Sequence, residues 1–275
     1  MKKYLSLPIK NNNKAKILHI TDTHLFANES DSLLGIKTNA SFNAVIDEIK
    51  QQPCDFDLIV ATGDFVQDGS KSAYLRFANA INQFPMPCVW LAGNHDVYTN
   101  MKLVFEQQKL PEKKTVLLGD NWLVILLNSQ VQGEAFGMLS DAELAFLSLT
   151  IEQYPDKFIM IFLHHHPVMS NCQWLDQHCL KNSQQFGLLV KQYQHIKSIA
   201  WGHIHQRSER IWHHCKVFST PSTCVQFKPA SDEFSLAYDA PGWRVIELNT
   251  SGEVDSRVYS LNENLFMPDT SQNGY

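Results

Sequence analysis

Short apolar runs alternate with amphipathic stretches along most of the chain. Residues 16–21, 57–62, 88–92, 122–128, 158–163 and 196–200 are each a few residues long and largely apolar. Runs of this kind predict strands buried on both faces, as in a sheet covered by helices. Between them, residues 40–51, 72–84, 141–154 and 183–193 repeat apolar side chains at helical spacing. Ser140, followed three residues later by Glu143, predicts a capping box at the start of the third helix, in which each side chain satisfies the other's backbone donor. The alternation of strand and helix implies an α/β protein. After Gly202 the pattern changes. Residues 216–219, 243–248 and 256–261 are short strand candidates between Pro and Gly turns, expected at sheet edges or in a second sheet packed on the first. The tail from about residue 262 is polar and expected to be an extended arm. Neither linker nor repeat nor low-complexity stretch interrupts the chain, so residues 1–275 are expected to form a single domain.

Five polar clusters each follow one of the predicted strands: Asp22-Thr23-His24, Gly63-Asp64, Gly93-Asn94-His95-Asp96, His164-His165-His166 and Gly202-His203-Ile204-His205. In an α/β sheet, ligands bind beyond the carboxyl ends of the strands, where loops converge from a rigid scaffold, so five such ends from one sheet can share one site. Asp22 and His24 are two apart, as are His203 and His205, which puts each pair on one face of an extended segment. A single histidine at a strand end is usually a satisfied core or surface residue, and Gly-Asp or Gly-Asn is usually only a turn. Five such clusters in order, each closing a strand, are not explained that way.

Composition narrows the class. With 44% hydrophobic and 19% charged residues the chain is too apolar for a disordered protein. It lacks the roughly 18-residue apolar run that a membrane span needs. Its N-terminus is basic, but Pro8 and the polar residues 10–16 break any secretory signal, so a cytoplasmic location is expected. The net charge of −5 comes without any cluster of Lys and Arg, which argues against a nucleic-acid partner. No protein or membrane partner is implied. The six cysteines are scattered and read as reduced thiols; Cys172 and Cys179 flank His178, but at no spacing used by a common zinc module.

D-x-H, G-D, G-N-H-D, a strand-end His and G-H-x-H resemble the calcineurin-like metallophosphoesterase superfamily. The segments I-T-D-T-H-L-F, D-L-I-V-A-T-G-D, W-L-D-Q-H, T-P-S-T-C-V-Q-F-K-P and P-G-W-R extend the resemblance, nearly end to end, to its bacterial class III cyclic-AMP phosphodiesterases. That resemblance implies a four-layer α-β-β-α sandwich of two mixed sheets flanked by helices. It implies two divalent metal ions, Fe or Mn with Zn also possible. Asp22, His24, Asp64 and His205 would hold one ion; Asp64, Asn94, His164 and His203 would hold the other, with Asp64 bridging. His164 aligns with the family's ligand, and His165 is the alternative. Cyclic AMP is the implied substrate, its phosphate set against His24, Asp64, Asn94, His95 and His205, with attack by a metal-bridging hydroxide. His95 would contact the phosphate and protonate the leaving oxygen, and Asp96 would either orient His95 or cap a helix. Trp174, Asp176 and residues 222–227 are expected to shape the nucleotide pocket, while His19 is expected in the core. The rivals are the same scaffold acting on another phosphodiester or a phosphomonoester, and a non-catalytic binding module that kept the fold.

Overall fold

The apolar runs become strands because alternate residues of each find an apolar partner on both faces. The computed structural model describes residues 4–11, 13–53, 55–272 and 274. It begins with β1 (Leu5–Leu7), β2 (Lys14–Ile20), the short β3 (Ser32–Leu33) and β4 (Ile36–Lys37), α1 (Thr38–Gln51), β5 (Leu58–Ala61), α2 (Lys71–Ile81), β6 (Cys88–Trp90) and α3 (Tyr98–Gln107). It continues with β7 (Thr115–Leu118), β8 (Trp122–Leu126), α4 (Asp141–Gln153), β9 (Phe158–Phe162), α5 (Gln173–Asp176), α6 (Ser183–Gln192) and β10 (Ile196–Trp201). Six strands complete it: β11 (Ser208–Trp212), β12 (Cys215–Ser219), β13 (Gln226–Phe227), β14 (Leu236–Ala237), β15 (Gly242–Asn249) and β16 (Val254–Ser260).

One main sheet has the order β16-β15-β2-β5-β6 and the other β1-β7-β8-β9-β10-β12-β11. Both are mixed. β2, β5 and β6 are parallel neighbours, as are β8, β9, β10 and β12, whereas β15 pairs antiparallel with both β2 and β16, and β11 with β12. Side chains alternate across each strand, so each sheet feeds two cores. Ile17, Val60 and Val89 meet Val124, Met160, Phe162 and Ala200 in the layer between the sheets. Leu18, Ile20 and Ile59 pack outward on Phe42 and Val45 of α1, Phe77 of α2 and Phe105 of α3. Ile125, Ile159 and Ile161 pack outward on Leu147 and Ile151 of α4 and Phe186 and Val190 of α6. The architecture is the expected α-β-β-α sandwich of two mixed sheets flanked by helices.

Several details differ from expectation. Of the three strands expected at sheet edges or in a second sheet, β12 and β15 are interior strands with a neighbour on each side and β16 is an edge, and β12 lies in one main sheet while β15 and β16 lie in the other. The pattern left α3 unread because its buried stripe is only Met101, Val104 and Phe105, and the exposed Leu103 blurs the period. The capping box forms only in half. Ser140 Oγ accepts from Glu143 N at 3.2 Å, but the Glu143 carboxylate turns away, to Lys114 Nζ and to Asn128 N. It thereby ties α4 to the ends of β7 and β8 instead of closing on Ser140. Beyond β16, residues 262–272 form turns and coil. Phe266 touches both outer cores, and Asp269 N donates to Leu34 O at 2.8 Å; residues 273 and 275 lie outside the described residues. Among the described residues no helix is long and apolar enough to cross a membrane.

The half-formed cap gives a test of local energetics. Ser140→Ala removes the acceptor for Glu143 N at an exposed site and is expected to cost about 1 kcal/mol, measured as a lowered urea midpoint at unchanged m-value.

Candidate metal centre

The five polar clusters follow β2, β5, β6, β9 and β10. They do not come from one sheet. The first three leave the five-stranded sheet and the last two the seven-stranded sheet. They meet because the sheets are stacked, and hydrogen bonds join the loops, two within the five-stranded sheet and one, from His203, across the gap. Asp22 N donates to Gly63 O at 3.0 Å, His24 N to Asp64 O at 2.9 Å and His203 N to Asp22 Oδ2 at 3.0 Å.

The turns are sharp. Asp22, His24, Asp64, His203 and His205 all take positive φ, between 45° and 65°. Non-glycine residues visit this left-handed region at a cost, and such residues concentrate at functional sites. Gly63 (φ 92°) and Gly93 lie against each other, and a Cβ on Gly93 would fall 2.2 Å from Asp64 Oδ1. Glycine at 93 is what lets the third cluster approach that carboxylate.

The side chains converge on Asp64. His164 Nε2 lies 3.2 Å from Asp64 Oδ2 and 3.1 Å from Asn94 Oδ1. His24 Nε2 lies 3.8 Å from Asp64 Oδ2 and 3.1 Å from His205 Nε2, which is itself 3.4 Å from Asp22 Oδ1. Asp22, His24 and His205 form one group whose ligand atoms are all within 4.8 Å of one another; Asp22, Asp64 and His164 form a second, and His164, His165 and His203 a third. Of these, Asp22, His24, Asp64, His164, His203 and His205 are buried, while Asn94 and His95 are half-buried. The structure thus brings together all seven residues expected to hold metal. His95 stands beside them, its ring centroid 5.0 Å from that of His24 and its backbone N donating to Asp64 Oδ1 at 2.8 Å.

The rings are oriented from outside. His164 Nδ1 donates to Thr62 O at 2.6 Å, His205 Nδ1 to Val225 O at 2.9 Å and His24 Nδ1 to Gln67 Oε1 at 2.6 Å. With Nδ1 committed in this way, Nε2 is the nitrogen of each ring that is aimed inward, and on His164 without metal it carries the proton shared with Asp64. His24 Nε2 and His205 Nε2 face each other at 3.1 Å, and among the described residues the buried His203 Nε2 has no hydrogen-bond partner. Burial opposes a charge on His164, but the Asp64 carboxylate outweighs it and holds the ring at about 9. Burial, reinforced by His165 and His164, holds His203 well below the ordinary histidine value. Inward lone pairs, two carboxylates and a buried unpartnered nitrogen suit divalent cations, which would take the place of the proton shared by His164 and Asp64.

Some neighbours do work that was not expected of them. His165 turns its Nδ1 to Ser129 Oγ at 2.8 Å, whereas His164 is the ring that points at Asp64 and Asn94. Asp96 accepts from Phe65 N, Tyr74 Oη and Gly93 N, so it braces two site loops instead of orienting His95, and Val97 rather than Asp96 precedes α3. Its carboxyl is pushed up to about 7, by burial and by nearby Asp64. Gln130 completes the brace by donating to Gly93 O and Asp96 O. Asp176, expected to shape the nucleotide pocket, accepts from Ser170 N, Ser170 Oγ and Asn171 N, and pairs with His166 Nε2 at 3.2 Å. These bonds tie Asp176 to the 166–172 loop. Gln67, Ser129 and Gln130 carry no spacing signal that would have marked them in advance.

A cleft of about 540 Å³ opens from the cluster. Asn94, His95 and His203 line it, together with Trp174, His178 and Phe234. The Trp174 ring packs edge-on against Phe227 and Phe234, at centroid distances of 4.9 and 5.1 Å.

Comparison with known proteins identifies the family. The calcineurin-like phosphoesterase family matches residues 15–207. The 3',5'-cyclic adenosine monophosphate phosphodiesterase CpdA of Escherichia coli (strain K12) is 42% identical over 275 residues, covering 100% of both chains. The protein of that name from Vibrio vulnificus is 43% identical over 263 residues, covering 96% of each. Among solved structures, a dimetal phosphatase from Danio rerio superposes with a TM-score of 0.60 at 14% identity, covering 91% of this chain and 100% of that one, a likeness of fold. With the family's span reaching from β2 through the last of the clustered histidines, this chain belongs to the calcineurin-like phosphoesterase family.

Proposed function

We propose that the chain is a two-metal phosphodiesterase that hydrolyses 3',5'-cyclic AMP to 5'-AMP in the cytoplasm, working as one domain with the tail from about residue 262 docked against it. The observation that carries the reading is the convergence of two carboxylates and four inward-aimed imidazoles at one end of a cleft, in a chain that aligns over its whole length with relatives named for this reaction.

Asp22, His24, Asp64 and His205 would hold one ion, and Asp64, Asn94, His164 and His203 the other. Oxygen and imidazole donors without thiolate suit Fe or Mn, and also Zn. Bound there, two divalent ions supply polarisation of the phosphoryl oxygens and acidification of the attacking water. The protein's share is placement. Thr62 O, Val225 O and Gln67 fix the rings of His164, His205 and His24, an orientation that supports ligand geometry in metal sites generally. Two carboxylates against two divalent ions leave net positive charge, which favours an anionic phosphodiester despite the chain's overall −5.

His95 is the proposed general acid. As the bond between phosphorus and the ribose 3'-oxygen breaks, its ring proton passes to that oxygen. Its backbone is tied to Asp64, so the proton donor keeps a fixed position relative to the carboxylate that would be shared by the two ions. The nucleoside would extend along the cleft toward Trp174 and Phe234, whose rings offer an apolar wall.

Three measurements test this. In a panel of cyclic AMP, cyclic GMP, bis(p-nitrophenyl) phosphate and nucleotide monoesters, cyclic AMP is expected to have the highest kcat/KM; a monoester in first place would contradict the substrate assignment. His95→Ala is expected to lower turnover by about 10²–10⁴-fold with metal content by elemental analysis unchanged, and loss of metal would show that the role is wrong. Asp64→Ala is expected to empty at least one metal position and abolish turnover, whereas two retained ions would contradict the bridging role.

A further inference from the structure

His19 has the profile of a core residue: it lies on β2, is fully buried between the sheets and packs edge-on against Phe162 at 5.0 Å. Yet both of its ring nitrogens are engaged. Four hydrogen bonds run in series from it and through it. Thr220 Oγ1 meets His19 Nδ1 at 2.7 Å, His19 Nε2 meets Thr62 Oγ1 at 2.8 Å, Thr62 Oγ1 meets Thr21 Oγ1 at 2.8 Å and Thr21 Oγ1 meets Asp22 Oδ2 at 2.6 Å. Each of these five residues is at most 1% exposed, so water cannot replace a missing partner.

Counting protons fixes the direction. Three hydroxyls and one neutral imidazole supply one proton each, four protons for four bonds. Burial first, then the nearby Arg244 guanidinium, lowers His19 to about 3, so the ring is neutral. Asp22 as a metal ligand is a carboxylate and can only accept. Thr21 must therefore donate to Asp22, which obliges Thr62 to donate to Thr21. Thr62 must then accept from His19 Nε2–H, and Nδ1 accepts from Thr220. The opposite tautomer would leave two hydroxyl oxygens 2.8 Å apart with no proton between them.

We propose that His19, as its Nε2–H tautomer, is a positioning residue that sets a one-way hydrogen-bond chain from Thr220 to Asp22, engaging Oδ2 and leaving Oδ1 to a metal ion. The geometry at the far end fits this. Oδ1 is the oxygen 3.4 Å from His205 Nε2 and 4.0 Å from His24 Nε2, whereas Oδ2 takes the Thr21 hydroxyl and the shorter bond from His203 N. Thr62 also serves the other side of the site, because its carbonyl orients His164. One threonine thus links the expected ligand sets of both ions. The proposal rests on the reading that Asp22 binds metal.

Two readouts test it, and the first needs no metal. In long-range ¹H–¹⁵N correlation spectra of the metal-free wild-type protein, His19 is expected as the Nε2–H tautomer; an Nδ1–H or doubly protonated ring would overturn the chain. In the second, Mn²⁺ is titrated calorimetrically into metal-free protein. Thr62→Val and His19→Phe are each expected to bind about 10–100-fold more weakly than wild type, with kcat for cyclic AMP falling and KM little changed. His19→Gln, whose amide can donate to Thr62, is expected to recover most of the loss, and the double variant His19→Phe/Thr62→Val to be no worse than either single one, as members of one chain are not additive. Wild-type affinity in Thr62→Val, or additive losses in the double variant, would overturn the positioning role while leaving the metal centre intact. Should His19→Phe not fold, Thr62→Val carries the affinity test alone. Failure of wild-type protein to take up Mn²⁺ would instead overturn the metal centre itself, and with it the purpose of the chain.

Discussion

Two carboxylates and a set of imidazoles are buried side by side at one end of a cleft, and the outer nitrogens of three of those rings are committed to fixed acceptors. That commitment is what the rest of the site depends on. Had His164, His205 and His24 been free to rotate, Nε2 could have found a partner elsewhere in the protein. With Nδ1 held by Thr62 O, Val225 O and Gln67, the lone pairs have only the interior to face. Desolvated charge and unpaired lone pairs are unfavourable in a low-dielectric interior unless something compensates them. Cations shared among those side chains would compensate both at once, and would then dominate the local field.

The sandwich makes such a cluster possible. Two sheets stacked on a common apolar layer bring the ends of β2, β5 and β6 against those of β9 and β10, so ligands far apart in sequence meet without a long loop. The backbone must turn at once on leaving each strand, and five site residues do so in the left-handed region. Strain of that kind costs on the order of 1–3 kcal/mol per residue and persists because the strand ends leading into these turns are buried. Asp96 and Gln130 add polar bracing to the turn that presents Asn94 and His95. Rigid elements behind and hydrogen bonds beside are what keep a constellation of this kind in place.

Much of this was legible in the sequence, for a definite reason. β2, β5 and β9 are largely buried on both faces, so their runs are mostly apolar, and a change to Asp or His just beyond each stands out. The helices that cover them have apolar stripes wide enough to read, whereas α3 does not. What escaped was anything that depends on pairing over long sequence separation. The apolar runs of β9 and β10 carry no mark of which sheet they join, so the pattern alone assigns all five strand ends to one sheet even though the resemblance implies two. The turning of Glu143 toward Asn128 and Lys114, of Asp176 toward its own loop and of Asp96 toward Phe65 and Tyr74 follows from tertiary neighbours that no local spacing announces. Gln67 and Ser129 are ordinary polar residues until the fold places a ring nitrogen in front of each. His19 was read as core, which its burial supports, but its hydrogen bonds join β2, β5 and the end of β12 and exist only in three dimensions.

The central claim is that two cations share Asp64 at the meeting of the two sheets. Anomalous diffraction at the manganese edge from crystals grown with Mn²⁺ tests it most directly. Two peaks are expected, one among Asp22, His24, Asp64 and His205 and the other among Asp64, Asn94, His164 and His203, with Asp64 touching both. A single peak, or density centred on His165 with Asp64 outside its coordination sphere, would contradict the account.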